Sequence, residues 1–159
     1  MATEVSIDIS KTKLGEALSP NWLRIKGFGA LNSPSSPTVV NYIESPYAED
    51  VYIIRAFLHV RTASGNVATD LDIGLADDAA GTNIGGELAD GMVAATLNAV
   101  GVKELGIVHA IATPPVKPCW KAKGSAADSF LATIQNANVD ASALVYDLYL
   151  EIVRAKDLN

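Results

Sequence analysis

The stretch VYIIRAFLHVRT, residues 51–62, decides the fold class. Tyr52, Ile54, Ala56, Leu58 and Val60 recur at every second position, with Arg55, His59 and Arg61 between them. Successive side chains of a strand point to opposite faces, so a period of two marks a strand with one face in a core. Its aromatic and branched residues suit a pleated, half-buried surface, and no helical spacing groups them as well. Residues 143–154 repeat the design. Leu144, Tyr146, Leu148, Leu150 and Ile152 face one way, and Asp147 and Glu151 the other.

Weaker strands lie between and before these two. Thr69, Leu71, Ile73 and Leu75 alternate with Asp70, Asp72 and Gly74. Leu105, Ile107, His109 and Ile111 alternate with Gly106, Val108 and Ala110, a run apolar on both faces that suits a central strand. Residues 22–28, 38–43, 119–123 and 130–135 complete the set. Turn signals separate them: the NSPSSP stretch at 32–37, Ser64-Gly65-Asn66, residues 77–81, Pro114-Pro115 and Lys123-Gly124-Ser125. Short strands punctuated in this way predict an all-β fold, an antiparallel β-sandwich of jelly-roll or Greek-key type. Within residues 85–100, Leu88, Met92 and Leu97 fit one side of a short helix. Gly85, Gly86 and Gly91 argue instead for a structured loop.

No linker and no fixed-period repeat divides the chain, so residues 21–159 read as a single β-sandwich domain preceded by an extended N-terminal arm, residues 1–20. In the arm, Val5, Ile7 and Ile9 alternate with Ser6, Asp8 and Ser10. Burying three such side chains does not offset the entropy of ordering the backbone around them. Main-chain hydrogen bonds to a sheet edge must add to it, and that edge belongs either to this chain or to a neighbour. Val5, Ile7 and Ile9 are therefore the candidate partner-binding residues.

With 159 residues, 49% of them hydrophobic and 19% charged, the chain can bury a sizeable core without a disulfide or metal staple. So small a charged share suggests that something else covers part of the surface. The net charge of −6 and the absence of any basic run longer than Lys11-Thr12-Lys13 or Lys121-Ala122-Lys123 speak against direct nucleic-acid binding. The first residues lack the basic and apolar regions of a signal peptide, and no stretch is apolar over the roughly 20 residues that cross a bilayer. A soluble, unexported protein with no membrane partner is the expectation.

Reactive groups are sparse. His59, His109 and Cys119 show no paired metal-ligand spacing, and Cys119, the one cysteine, has no partner for an intrachain disulfide. There is no Gly-x-Ser-x-Gly, and the stretch 81–86, GTNIGG, lacks the lysine of a phosphate loop. Asp70, Asp72, Asp77 and Asp78 hint at calcium, but Gly74 stands where the calcium-loop pattern needs an acid and no glutamate closes it. Trp22 and Trp120 fit core positions better than a sugar-stacking platform. The expectation is no enzyme, no cofactor and no metal.

The order of these pieces resembles virion proteins of tailed bacteriophages. It rests on the strand YIIRAFLHVRT (52–62), a Ser-Gly turn, LDIGLADD (71–78) with a Gly/Asp loop, LADG (88–91), WKAKGS (120–125), FLATIQ (130–135) and VYDLYL (145–150). It covers roughly residues 50–153. The resemblance implies a β-sandwich head decoration (cement) or head-fibre accessory protein that binds the assembled major capsid protein as a homo-oligomer, a trimer by preference. Such a protein stands on the outer capsid surface of the virion, is made in the host cytoplasm, and carries no catalytic residues. A carbohydrate-binding β-sandwich module of a fibre or secreted assembly is the alternative.

Overall fold

In a computed structural model the chain is all-β, with two sheets enclosing one core. The structure describes residues 2–5, 7–8, 22–92, 97–105 and 117–158. Eleven strands are formed among them: β1 (Thr3–Glu4), β2 (Ile7–Asp8), β3 (Trp22–Gly29), β4 (Thr38–Glu44), β5 (Val51–Thr62), β6 (Leu71–Ala76), β7 (Gly85–Met92), β8 (Gly101–Leu105), β9 (Cys119–Trp120), β10 (Phe130–Gln135) and β11 (Val145–Arg154), followed by a 3-10 turn, Ala155–Leu158.

The first sheet runs β1-β4-β10-β6-β7 and the second β2-β3-β11-β5-β8, with β9 also on β5. All pairings are antiparallel except that of β1 with β4. From β3 onward the pairing is nested: β3 lies beside β11, β4 beside β10, β5 beside β8 and β6 beside β7.

The two long alternating runs form the centre of the second sheet. Leu144, Tyr146, Leu148, Leu150 and Ile152 point inward and are buried, as do Ala56, Leu58 and Val60 from β5. Facing them from the first sheet are Ile43, Leu71, Ile73, Leu75 and Leu131. Tyr146 Oη and Thr133 Oγ1 lie 3.3 Å apart and bridge the sheets through the core. At the start of β5 the predicted phase fails: Val51 and Ile53 are fully buried, and Tyr52 and Ile54 only partly so. A bulge explains the change. Ile53 pairs with Ile152 and Arg55 with Glu151, which leaves Ile54 as an extra residue and reverses the faces before it.

Residues 85–92 are neither helix nor loop. They extend as β7 and hydrogen-bond to β6 in a register that shifts twice. A sheet edge satisfies the backbone that a loop would leave to water, and glycines are at home where a strand bulges. Leu105 ends β8, and the remainder of the run predicted through Ile111 lies outside the described residues. So does His109. The strand predicted at 119–123 is only the two residues of β9.

The Gln135 side chain, fully buried on β10, accepts from Leu31 N–H and donates to the carbonyls of Leu31 and Val139. Gly81 closes the loop between β6 and β7 at φ +76°. A Cβ there would stand 2.7 Å from Val39 Cγ2, so the position excludes side chains on two counts.

The core tyrosines give the fold a pH limit. Burial pushes the Tyr47 hydroxyl up from 10.0 to about 12, and Tyr146, buried completely, further still. Above the ordinary value near 10 the unfolded chain releases these protons while the folded chain keeps them. Stability is therefore expected to hold up to about pH 10 and to fall as the pH rises through 12. Urea midpoints at rising pH check this, and Tyr146→Phe should make the fall shallower.

Candidate interaction surfaces

Three surfaces follow from the layout: one rim and the outer faces of both sheets. At the rim, β1 pairs with the β4 edge through Thr3↔Asn41 and Glu4↔Tyr42, and β2 pairs with β3 through Ile7↔Ile25 and Asp8↔Arg24. The chain thus changes sheets between residues 4 and 7. Val5, at the crossing, is 7% exposed, belongs to the core cluster, and donates its N–H to the Tyr42 carbonyl at 3.1 Å. Of the three candidate partner-binding residues, Val5 is thus buried in its own chain's core and Ile7 stands in register with its own β3. Ile9 lies outside the described residues. The structure brings Val5 and Ile7 to the same rim.

The outer face of the first sheet carries an apolar patch, with Glu44 in register with Phe130 and Asp72 in register with Ile134 beside it. Val39, Ala76 and Ala132 are buried there, and Tyr42, Ile84, Phe130 and Ile134 pack around them while keeping part of their surface in solvent. The rings of Tyr42 and Phe130 lie 6.2 Å apart. Sequence reading missed this patch. Its signal was present in FLATIQ, where Phe130, Ala132 and Ile134 make one phase wholly apolar while the core-facing phase carries Leu131, Thr133 and Gln135.

The outer face of the second sheet is different: aromatic and charged together. Across it, Trp22 stands opposite Glu151, which stands opposite Arg55. The next row is Arg24, Tyr149, Phe57 and Glu104. Beyond it come Asp147, His59 and Val102. Trp22 and Phe57 belong to strands on either side of β11, yet their ring centroids are only 5.6 Å apart, so both lean over it. The Arg55 guanidinium sits 4.8 Å from the Phe57 ring and that of Arg24 5.6 Å from the Tyr149 ring. Arg24 Nη2 donates to Asp147 Oδ2 at 2.6 Å, and Arg61 Nη1 lies 3.5 Å from the same oxygen.

The two tryptophans therefore separate. Trp120 is the core piece expected: fully buried, its Nε1–H donates to the Ser129 carbonyl at 3.0 Å. Trp22 departs from that expectation and is half-buried on the outer face, because it falls on the outward phase of β3. Asp147 also departs from the simple reading. It lies on the outward side of β11 but is 1% exposed, covered by an arginine from the neighbouring strand.

The acidic loop after β6 is tied up in its own backbone. Asp78 Oδ1 accepts from Ala80 N–H and Thr82 N–H and Oδ2 from the Thr82 hydroxyl, which hold its carboxyl below the usual range. Asp77 accepts from Asp128 N–H and from Asn83. Among the described residues no three His, Cys, Asp or Glu side chains converge as a metal site. Cys119 is partly buried, and burial raises its thiol pKa. Asp50, beside it, is held low by the hydrogen bond from Lys121. No family model, curated protein or solved structure matches the chain.

Proposed function

We propose that the protein is a virion structural protein of the decoration or cement type, which binds an assembled capsid from outside and stabilises it through protein–protein contacts. The observation that carries this reading is the apolar patch on the outer face of the first sheet, where Tyr42, Phe130 and Ile134 lie together and partly open to solvent. A sheet covered on its inner side by the core needs no apolar outer side for its own stability. Such a patch fits a partner surface that excludes water from it. Cement function calls for complementary surfaces and no reactive groups, and many copies on one lattice allow each contact to be modest.

The finer fold reading is a jelly roll with an N-terminal arm. The nested pairing of β3 with β11, β4 with β10, β5 with β8 and β6 with β7 supports it, since a long antiparallel ribbon rolled into two layers pairs its strands in that order. Jelly rolls recur in capsid proteins. The partner in this reading is the major capsid protein, and the protein acts as a homo-oligomer, most simply a trimer, at the outer shell surface. Val5, Ile7 and Ile9 of the arm then serve as the exchangeable element: two-residue pairings on the edges of β3 and β4 are short enough to be traded for a neighbour's.

The test adds purified protein to undecorated shells. Binding and a higher shell disruption temperature are expected, and both should be lost in Tyr42→Glu and Ile134→Glu variants that keep their strand circular dichroism. Removal of residues 2–10 is expected to leave the sandwich folded while weakening self-association or shell binding. Shells that take up no protein end the cement reading. A truncated chain that fails to fold assigns the arm to its own core alone.

A further inference from the structure

We infer that the partner surface docking on the apolar patch of the first sheet is apolar at its centre and basic around it, and that copies of this chain do not pair through that patch. Resting on the capsid reading above, this assigns the chemistry of the surface contacted.

Three observations lead here. The first is the way charge divides between the sheets. The charged residues on the strands of the first sheet are Glu4, Glu44, Asp72, Glu87 and Asp90, all acids. Every lysine and arginine on the described strands belongs to the second sheet: Arg24, Lys26, Arg55, Arg61, Lys103 and Arg154. There they are mixed with Asp8, Glu104, Asp147 and Glu151. The net charge of −6 is thus unevenly spread, and the strands that carry the patch hold acids alone.

The second is where those acids stand. Glu4 is exposed beside Tyr42, Glu44 lies in register with Phe130, and Asp72 with Ile134. The loop after β6 carries Asp77 and Asp78 and lies against the same face, where Gly81 abuts Val39 and Ile134. Both loop carboxylates accept hydrogen bonds from neutral donors, which leaves their charge in place. Lys123 Nζ is 3.8 Å from Glu44 Oε2, but its side chain is 66% exposed, so this wet pair offsets one acid of the rim only loosely.

The third is size. Strands β4, β10 and β6 lie about 4.8 Å apart, with outward residues about 6.7 Å apart along each, so three rows across them span roughly 300 Å². A stable protein interface needs about 800 Å² from each partner. A partner seated on the patch must therefore reach past its apolar centre onto the rim. The same face of a second copy would set acid against acid there, whereas a basic surround pairs with the rim and excludes partners of the wrong sign.

The experiment titrates the full chain onto undecorated shells at about 50 mM and about 500 mM sodium chloride, a range over which exposed charges become well screened. Wild-type protein is expected to bind about tenfold more weakly at the higher salt. Glu4→Lys should weaken binding about tenfold at low salt and about twofold at high salt, and Glu44→Gln should follow the same trend with about a threefold loss. Thermal melts confirm that each variant is folded. Sedimentation of the free protein is the second readout, in which Tyr42→Glu should leave the oligomeric state of the wild type unchanged. Shell binding that ignores salt and both Glu4→Lys and Glu44→Gln, yet is abolished by Tyr42→Glu, overturns the basic partner and leaves the capsid reading standing. Self-association lost in folded Tyr42→Glu makes the patch a contact between copies and also overturns it. Shells that bind no wild-type protein at either salt end the capsid reading, and the basic partner with it.

Discussion

Trp120→Ala is expected to destabilise the fold by about 3–5 kcal/mol, the range for removing a large aromatic from a core. The ring is fully buried and is the largest side chain of the core. It ties together three parts of the chain: β9 pairs with β5 through Val51↔Trp120, Nε1–H holds the Ser129 carbonyl, and Tyr47 packs edge-on with ring centroids 6.2 Å apart. Alanine leaves a cavity and removes one of the two donors to the Ser129 carbonyl, which keeps the Ser45 N–H at 2.7 Å, so the cavity is the main cost. Since a domain of this kind is stable by only about 5–15 kcal/mol, the loss is a large share. The urea midpoint, followed by circular dichroism, should fall by about 2 M for a slope near 2 kcal/mol per molar. Trp120→Phe keeps much of the volume and removes the donor, so its midpoint should lie between the two. Trp22→Ala provides the contrast: a half-buried ring on the outer face should cost about 1 kcal/mol. Equal losses at the two positions would mean that Trp120 does not anchor the core.

That contrast also marks how far the sequence could be read. Alternation placed the centre of the second sheet correctly because the inward face of β11 and the latter half of β5 obey it. Local pattern failed where the deciding partner lies far along the chain. Ile54 looks inward by phase, but a bulge set by the register against Glu151 and Ile152 turns Val51 and Ile53 inward instead. The glycines of 85–92 read as a loop because nothing nearby announces that β6 offers them an edge. β8 passed unnoticed for a related reason: Val102, Lys103 and Glu104 are all exposed, so an edge strand showed no buried phase. The candidate surfaces were least legible of all. Tyr42 and Phe130, or Trp22 and Phe57, become one patch only when strands far apart in sequence lie side by side.

Asp147 shows the same effect in energetic form and gives the second large prediction. By phase it is a solvent-facing acid, yet Arg24, 123 residues earlier, covers it. Its side chain is 1% exposed against 26% for Arg24 and 52% for Arg61, so one end of the cluster is desolvated and the other remains wet. Breaking a fully buried pair from one side costs about 3–5 kcal/mol, because the remaining charge is stranded. Here both arginines can turn to water, so Asp147→Ala should cost less, about 2–3 kcal/mol. The exposed pair Arg55–Glu104, at 51% and 58%, is the control: Glu104→Ala should change stability by about 0–1 kcal/mol and lose that effect in high salt. A double-mutant cycle of Asp147→Ala with Arg24→Ala should return a coupling of about 1–2 kcal/mol that salt barely alters, since a desolvated carboxylate is poorly screened. Coupling near zero would assign the loss in Asp147→Ala to packing on β11 alone. The buried acid would then owe its place to Tyr149 and the strand around it, and not to the arginine that covers it.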